Sequence, residues 1–531
     1  MCDERDDRQA AGHYIILANI CIGTVLTSYV SSCINIALPN MMQSLNFNLD
    51  SIVWVSLSYL LPYGGILPLT GNLGDQYGTR PLYIAGFLVF TVATLLCGLA
   101  PNATLLVMFR ILQGVGAAML LPNAMAIVAA TFPVRNWSKA LGIWSAMSAL
   151  GTACGPVIGG YIIEMFSWRA LFFSVLPIAA MGILISLFVL PKTTPGGRKA
   201  TDYPGAALLL AGISCLLLAL NQGQREGWTS VYILSLATVS GCCLLVFPWW
   251  EAVTRRPLID MALFRSRNFM IANLAGFVSI LVMYAAIFLL PFFLKTILGY
   301  DSIRAGQTML PLSATMLFAA PAGGWLVSRF GVRWPATVGM LLVASAMLLF
   351  ATLDPAYGPS HFYLRLLLLG VGLGLSMSPL TSCAMDTVNR QQAGVASGVL
   401  NLFRLTGGGV GVVLASILLY QRTMYHGEVL NEVLRPVLTA SREVMALIQK
   451  LWGARGLDAA GVAVAAQGIF TGAGLSHHDY GRLKLVLAKL VHQQASIQAF
   501  QDVFLVMGCL CLMGVLFTVW IRSSGEKRSR Q

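Results

Sequence analysis

The chain is 531 residues long, 57% hydrophobic and only 10% charged, with a mean hydropathy of +0.75 and a formal net charge of +13 at pH 7. A soluble protein of that length would have too little polar surface to face water, so the composition excludes a soluble globular protein and makes lipid the natural solvent. The positive excess is what basic loops against an anionic leaflet carry, and it requires no nucleic-acid partner.

The apolar runs are continuous over about 20 residues rather than short and alternating, which predicts spanning helices rather than barrel strands. In chain order the spans fall at 15–37, 52–73, 82–100, 105–129, 139–163 and 171–190. A polar linker, KTTPGGRKATD at 192–202, precedes two further runs at 204–221 and 231–250. A second group of six follows at 270–294, 306–327, 336–353, 362–381, 394–420 and 499–521. The predicted fold is an all-α polytopic membrane protein with 14 transmembrane helices arranged six, two, six. Its domains are an N-terminal bundle at 1–191, a two-helix insert with its linkers at 192–268, a C-terminal bundle at 269–521 and a basic tail at 522–531.

Lys and Arg set the orientation, because short cytoplasmic loops accumulate them. The even-numbered loops hold Arg80, Arg135, Lys139, Lys192, Arg198, Arg255, Arg265, Arg329 and Arg390. Both termini are therefore expected in the cytoplasm. The opening MCDERDDRQAAGH is too acidic for the n-region of a cleaved signal, and no cleavage is expected. The polar stretch 421–498 then lies on the extracytoplasmic side, where its length releases it from the positive-inside rule. Within it, Leu483, Leu487, Leu490 and Val491 recur at helical spacing, either as a rim helix or as a docking surface for another protein. The 11 cysteines are scattered, mostly within apolar runs, and read as packed thiols. His477 and His478 lack nearby thiol or carboxylate ligands and make a poor metal site, so neither metal nor cofactor is expected.

Chemistry begins between the second and third spans, at GNLGDQYGTRP from Gly71 to Pro81. Gly71 and Gly78 suit a tight turn, and Asp75 beside helix ends and basic residues could form a breakable contact between bundles. The plain alternative is a turn with one acidic residue. Arg110 in the fourth span is a permanent charge in an apolar helix, so it must face protein or a water-filled cavity, unless it snorkels from a helix end. The fifth span holds Gly142, Gly151, Gly155, Pro156, Gly159 and Gly160, a close-packing and bendable element.

These stretches together resemble the fourteen-span drug:proton antiporter family of the major facilitator superfamily, typified by EmrB and QacA. Residues 71–81 are similar to the superfamily's loop motif, which implies gating by Asp75 and Arg80, although Gln76 and Thr79 stand at two usually basic positions. Residues 110–118 are similar to its fourth-helix motif, implying that Arg110 couples proton movement to substrate movement. Residues 142–160 resemble the antiporter motif at every glycine and at Pro156, which implies export. NIALP at 35–39, SWRALFF at 167–173 and PLIDMALFRSRNF at 257–269 also resemble the family. GWLVSRFG at 324–331 is a weaker copy of the loop motif, with Ser328 where the first copy has Asp75.

One position departs: Val30 stands where relatives often carry a first-span acid. Proton exchange needs a group that titrates with alternating access, and the remaining candidates are Glu164 and Asp386, each of which could equally be a solvated helix-end charge. The substrate site is expected near the bilayer midplane between the halves, with Asn35, Trp54, Tyr59, Gln113 and Asn401 offering stacking and hydrogen bonds. Each could instead simply pack. The expected function is proton-driven efflux of drugs or other small amphipathic toxic compounds across the inner (plasma) membrane. Two rivals are a nutrient-uptake facilitator and a non-transporting receptor or subunit of the same fold. A periplasmic adaptor with an outer-membrane channel is a candidate partner of the 421–498 loop.

Overall fold

The computed structural model describes residues 2–45, 49–132, 134–191, 202–254, 257–259, 261–353, 359–386, 393–439 and 477–521. Among them the chain forms long helices and no strands. Where water is excluded, a helix satisfies every backbone group within its own segment.

The first group is α1 (Cys2–Ser44), α2 (Leu49–Tyr77), α3 (Thr79–Leu99), α4 (Ala103–Thr131), α5 (Val134–Met165) and α6 (Trp168–Val189). The insert is α7 (Tyr203–Glu226) and α8 (Val231–Val253). The second group is α9 (Arg267–Phe292), α10 (Ser302–Phe330), α11 (Arg333–Phe350), α12 (Pro359–Asp386), α13 (Ala393–Thr439) and α14 (His477–Val519). Among the described residues a helix overlaps each expected span. Twelve of these helices contain stretches long and apolar enough to cross a membrane, while the apolar part of α2, Ser51–Leu67, is shorter. Several starts are set by a side chain that accepts the first free N–H groups: Asn102 for α4, Ser230 for α8 and Asp301 for α10.

The halves repeat one packing scheme. In the first, α1 packs on α5 and α6, α4 on α2 and α3, and α3 on α6; in the second, α9 packs on α13 and α14, α12 on α10 and α11, and α11 on α14. Each of the equivalent helices α4 and α12 also carries an arginine followed by a GVG, four residues on from Arg110 and five from Arg365. The halves meet at two equivalent seams, α5 against α10 and α2 against α13. Helix α7 lies along the second seam, touching both α2 and α13, with α8 outside it. Burial follows this plan: 83% of the apolar window of α9 is buried, against 17% for α8. The outer faces carry exposed large apolar groups such as Phe188, Leu245 and Phe318, as a surface toward lipid does.

Two expectations are refined. The stretch 71–81 is not an extended turn: α2 continues to Tyr77, and the break is Gly78 alone, at φ 99°. Gly331 makes the equivalent break between α10 and α11 at φ 73°. A residue with a Cβ is strained in that left-handed region, so glycine allows a reversal of one residue in the first repeat and of two, Gly331 and Val332, in the second. The stretch 421–498 is helical at both ends, because α13 runs on to Thr439 and α14 begins at His477. There Asp502 on α14 faces two α13 residues, His426 Nε2 at 2.9 Å and Arg422 Nε at 3.5 Å. The leucines expected on a rim helix fall within α14, with side chains outside the described residues.

Candidate functional site

Helix α1 places small polar groups one turn apart along its length, from Thr24 through Ser28, Ser31, Ser32 and Asn35. Those toward α5 are spent on packing. Trp144 Nε1 donates to Thr24 Oγ1 at 2.8 Å, Ser28 and Ser148 hydroxyls pair at 3.0 Å, and Ser32 Oγ donates to the Thr152 carbonyl at 2.8 Å. The α5 glycines permit this approach. A Cβ on Gly151 would lie 2.5 Å from the Val25 carbonyl oxygen, and one on Gly155 would lie 2.7 Å from Ser32 Cβ. Gly159 faces Cys33 in the same way.

The remaining α1 groups face inward. Asn35 is buried, donates through Nδ2 to the Ser31 carbonyl at 3.1 Å and accepts from Ser56 Oγ at 3.2 Å. Beside it Arg110 is 1% exposed. Its Nε donates to the Val55 carbonyl at 2.9 Å and its Nη1 to Gln113 Oε1 at 2.7 Å, while Gln113 Nε2 donates on to Thr94 Oγ1 at 2.7 Å. The guanidinium carbon sits 4.5 Å from the centroid of the Tyr59 ring. Among the described residues no carboxylate pairs with Arg110. A permanent cation is thus held by neutral dipoles and an aromatic face, which helps offset its desolvation.

Ser31, Asn35, Ser56, Tyr59, Leu60 and Arg110 of the first half and Tyr284 of the second line one polar pocket between the halves. The Ser31 and Tyr284 hydroxyls lie 3.4 Å apart across it. The walls close on one another and leave about 0 Å³ for even a water-sized guest, so the halves must part to admit any ligand.

At the ends of the helices nearer Glu164, the halves are latched. Residues Phe293–Ile297 continue α9 as a π-helical turn, a form enriched at functional sites. From it Lys295 Nζ donates to Asn40 Oδ1 on α1 and to Ser302 Oγ on α10, the latter at 2.8 Å. Glu164 Oε2 accepts from the Ser302 backbone N–H at 3.2 Å, which links α5 to α10. Next to it Gly160 packs on the Ser302 carbonyl and Gly306 on the Pro156 carbonyl, so neither position has room for a side chain.

Of the expected site residues, Asn35, Tyr59, Arg110 and Gln113 come together at the pocket. Trp54 on α2 and Asn401 on α13 are half-buried and do not line it. Glu164 belongs to the latch, and Asp386 is an exposed residue at the end of α12. Val30 is buried in the core. Asp75 falls in the last turn of α2 and Gly142 in α5, with side-chain surroundings outside the described residues. Gly71 packs near Pro122, and Arg80 reaches from α3 to the Leu187 carbonyl on α6. Sequence reasoning missed Ser31, Ser56, Tyr284 and Lys295. Tyr284 is the one tyrosine in its apolar run, and Lys295 follows that run directly; both are legible only as isolated polar groups.

The family model of the Major Facilitator Superfamily matches residues 20–412. The chain is 29% identical over 425 residues to the Multidrug transporter protein MdtP of Bacillus subtilis, covering 80% of this chain and 78% of that protein. It is 31% identical over 415 residues to the Riboflavin transporter RibZ of Clostridioides difficile, covering 78% and 90%. The crystal structure of a bacterial homologue of the human lysosomal transporter Spinster, inward-facing and occupied, is similar in fold. Its TM-score is 0.59 at 14% identity, covering 95% of each chain.

Proposed function

The chain belongs to the Major Facilitator Superfamily and is a membrane transporter, and on that footing we propose that it expels drugs or other small amphipathic toxic compounds in exchange for protons. The observation that carries this reading is the pocket between the halves, where the buried Arg110, with no carboxylate partner among the described residues, meets Asn35, Tyr59 and Tyr284. Such a site offers a cation, hydroxyls and aromatic faces to an amphipathic molecule, and it can face one side at a time only if the halves rock. The tight α5 seam and its resemblance to the antiporter motif support export. The multidrug transporter name of one relative points the same way.

In this reading the protein belongs to the fourteen-span EmrB and QacA type and lies in the plasma membrane with both termini in the cytoplasm. Asp75 and Arg80 gate the cytoplasmic side, whereas Glu164 and the Lys295 latch close the other. Arg110 governs coupling, and Glu164 and Asp386 are candidate proton carriers. Export through an adaptor and an outer-membrane channel would use the region between α13 and α14. Uptake of a nutrient is the second reading, favoured by the likeness to a protein named as a riboflavin transporter.

The deciding assay follows labelled toxicants and riboflavin in inverted membrane vesicles carrying wild type, Asp75→Asn or Arg110→Met, with and without an imposed proton gradient. Toxicant accumulation that collapses without the gradient and in the variants supports proton-coupled export. Gradient-independent movement, or a signal confined to riboflavin, overturns it.

A further inference from the structure

The two-helix insert contains a pair of acidic residues that the transport reading does not use. Asp202 is the N-cap of α7 and is 5% exposed, and Glu251 lies in the last turn of α8 and is 2% exposed. Both oxygens of Asp202 and one of Glu251 accept hydrogen bonds. Asp202 Oδ1 accepts from the Gly205 N–H at 2.9 Å, and the Trp250 indole N–H lies 3.0 Å from both its oxygens. Glu251 Oε2 accepts from the Ile259 N–H at 2.9 Å and so ties the segment 257–259 to α8.

The second oxygen of each carboxyl lies toward the other residue. Asp202 Oδ2 and Glu251 Oε1 lie over the same point of Gly205, and a Cβ there would strike both, Glu251 Oε1 at 2.6 Å. The absence of a side chain at Gly205 is what lets them meet. Glu251 Oε1 is buried beside the Asp202 carboxyl and has no donor among the described residues. Two ionised carboxyls are acceptors only, so that approach is repulsive unless one of them carries a hydrogen. Among the described groups acting on Glu251, Asp202 is the charged one, the others being the backbone N–H groups of Leu258 and Ile259. No third His, Cys, Asp or Glu joins the pair among the described residues, which leaves it far short of the six to eight oxygens of a calcium site.

We propose that Asp202 and Glu251 form a proton-binding site in which one proton, shared between Asp202 Oδ2 and Glu251 Oε1, holds α7, α8 and the segment 257–259 together. Its loss would set two negative charges against each other in a dry contact and part the two helices at this end. The site stands apart from the central pocket, and its test does not depend on transport.

Infrared difference spectroscopy of the purified full chain at neutral pH reads the carbonyl stretch of a protonated carboxyl directly. Glu251→Gln and Asp202→Asn keep the shape of the neutral acids. Subtracting either variant from wild type is expected to reveal the loss of one such band, the same band in both. A band retained in Asp202→Asn, or no difference for Glu251→Gln, overturns the shared proton. Wild type alone gives a check free of substitutions: carbon-13 glutamate or, separately, carbon-13 aspartate should shift the protonated-carboxyl band of whichever group carries the hydrogen. Absence of any such band overturns the site whether or not the variants fold.

Discussion

Removing the ammonium of Lys295 should loosen the closed end of the transporter. In Lys295→Met the apolar stem is kept, while the bonds to Asn40 Oδ1 and Ser302 Oγ are lost. Hydrogen bonds from a charged group are worth about 1.5–3 kcal/mol each, but the Ser302 bond stays within the second half, and only the bond to Asn40 crosses between halves. An opened latch returns the ammonium to water, so the net bias that Lys295 gives the closed state should be about 1.4 kcal/mol, a tenfold change in the closed-to-open ratio. The Glu164 link to Ser302 and the Gly160 and Gly306 packing remain, so the variant should shift the population rather than fall open. Spin labels at the exposed positions Gln43 and Arg304, in a background stripped of reactive cysteines, report the distance between the two halves by electron–electron resonance. The long-distance population should grow about tenfold relative to the short one. An unchanged distance distribution would refute the latch.

Arg110→Met should abolish transport while changing stability by no more than about 2 kcal/mol, because a lost buried charge offsets the lost hydrogen bonds; thermal unfolding and vesicle transport measured on one preparation check both halves of that statement. Gly155→Val should destabilise the first half by about 1–3 kcal/mol through overpacking against Ser32 and Cys33, measured as a lower unfolding midpoint in detergent. Gly331→Ala, at φ 73°, should cost about 1–2 kcal/mol for left-handed backbone, and an unfolding midpoint equal to wild type would count against a break that needs glycine. Tyr284→Phe removes only the hydroxyl that faces Ser31, so it should alter substrate affinity in a transport titration while leaving the unfolding midpoint within experimental error.

Much of the architecture was legible in the chain. A bilayer demands about 20 apolar residues for each crossing helix, so the runs that became α3, α4 and α6 announced themselves by length. The glycines of α5 announced close packing, and a Cβ on Gly151 or Gly155 would indeed collide with α1. Helix ends were less legible, since helical geometry extends past the apolar run wherever polar residues also favour it. Thus α2 carries the expected turn as far as Tyr77, and α13 continues to Thr439.

The sequence by itself determined that this chain lives in lipid, that it is helical and duplicated, and that Arg110 must be sheltered. Those are properties of single segments, fixed by the cost of exposing apolar surface to water or charge to lipid. Only the tertiary structure decided which polar groups meet. Ser31 and Tyr284 are 253 positions apart, and Lys295 and Asn40 are 255 apart. Asp202 and Glu251 belong to different helices and meet only because Gly205 leaves a gap between them. Such encounters depend on how helices rotate and cross, which is set by packing over the whole bundle and leaves no periodic trace in any one segment.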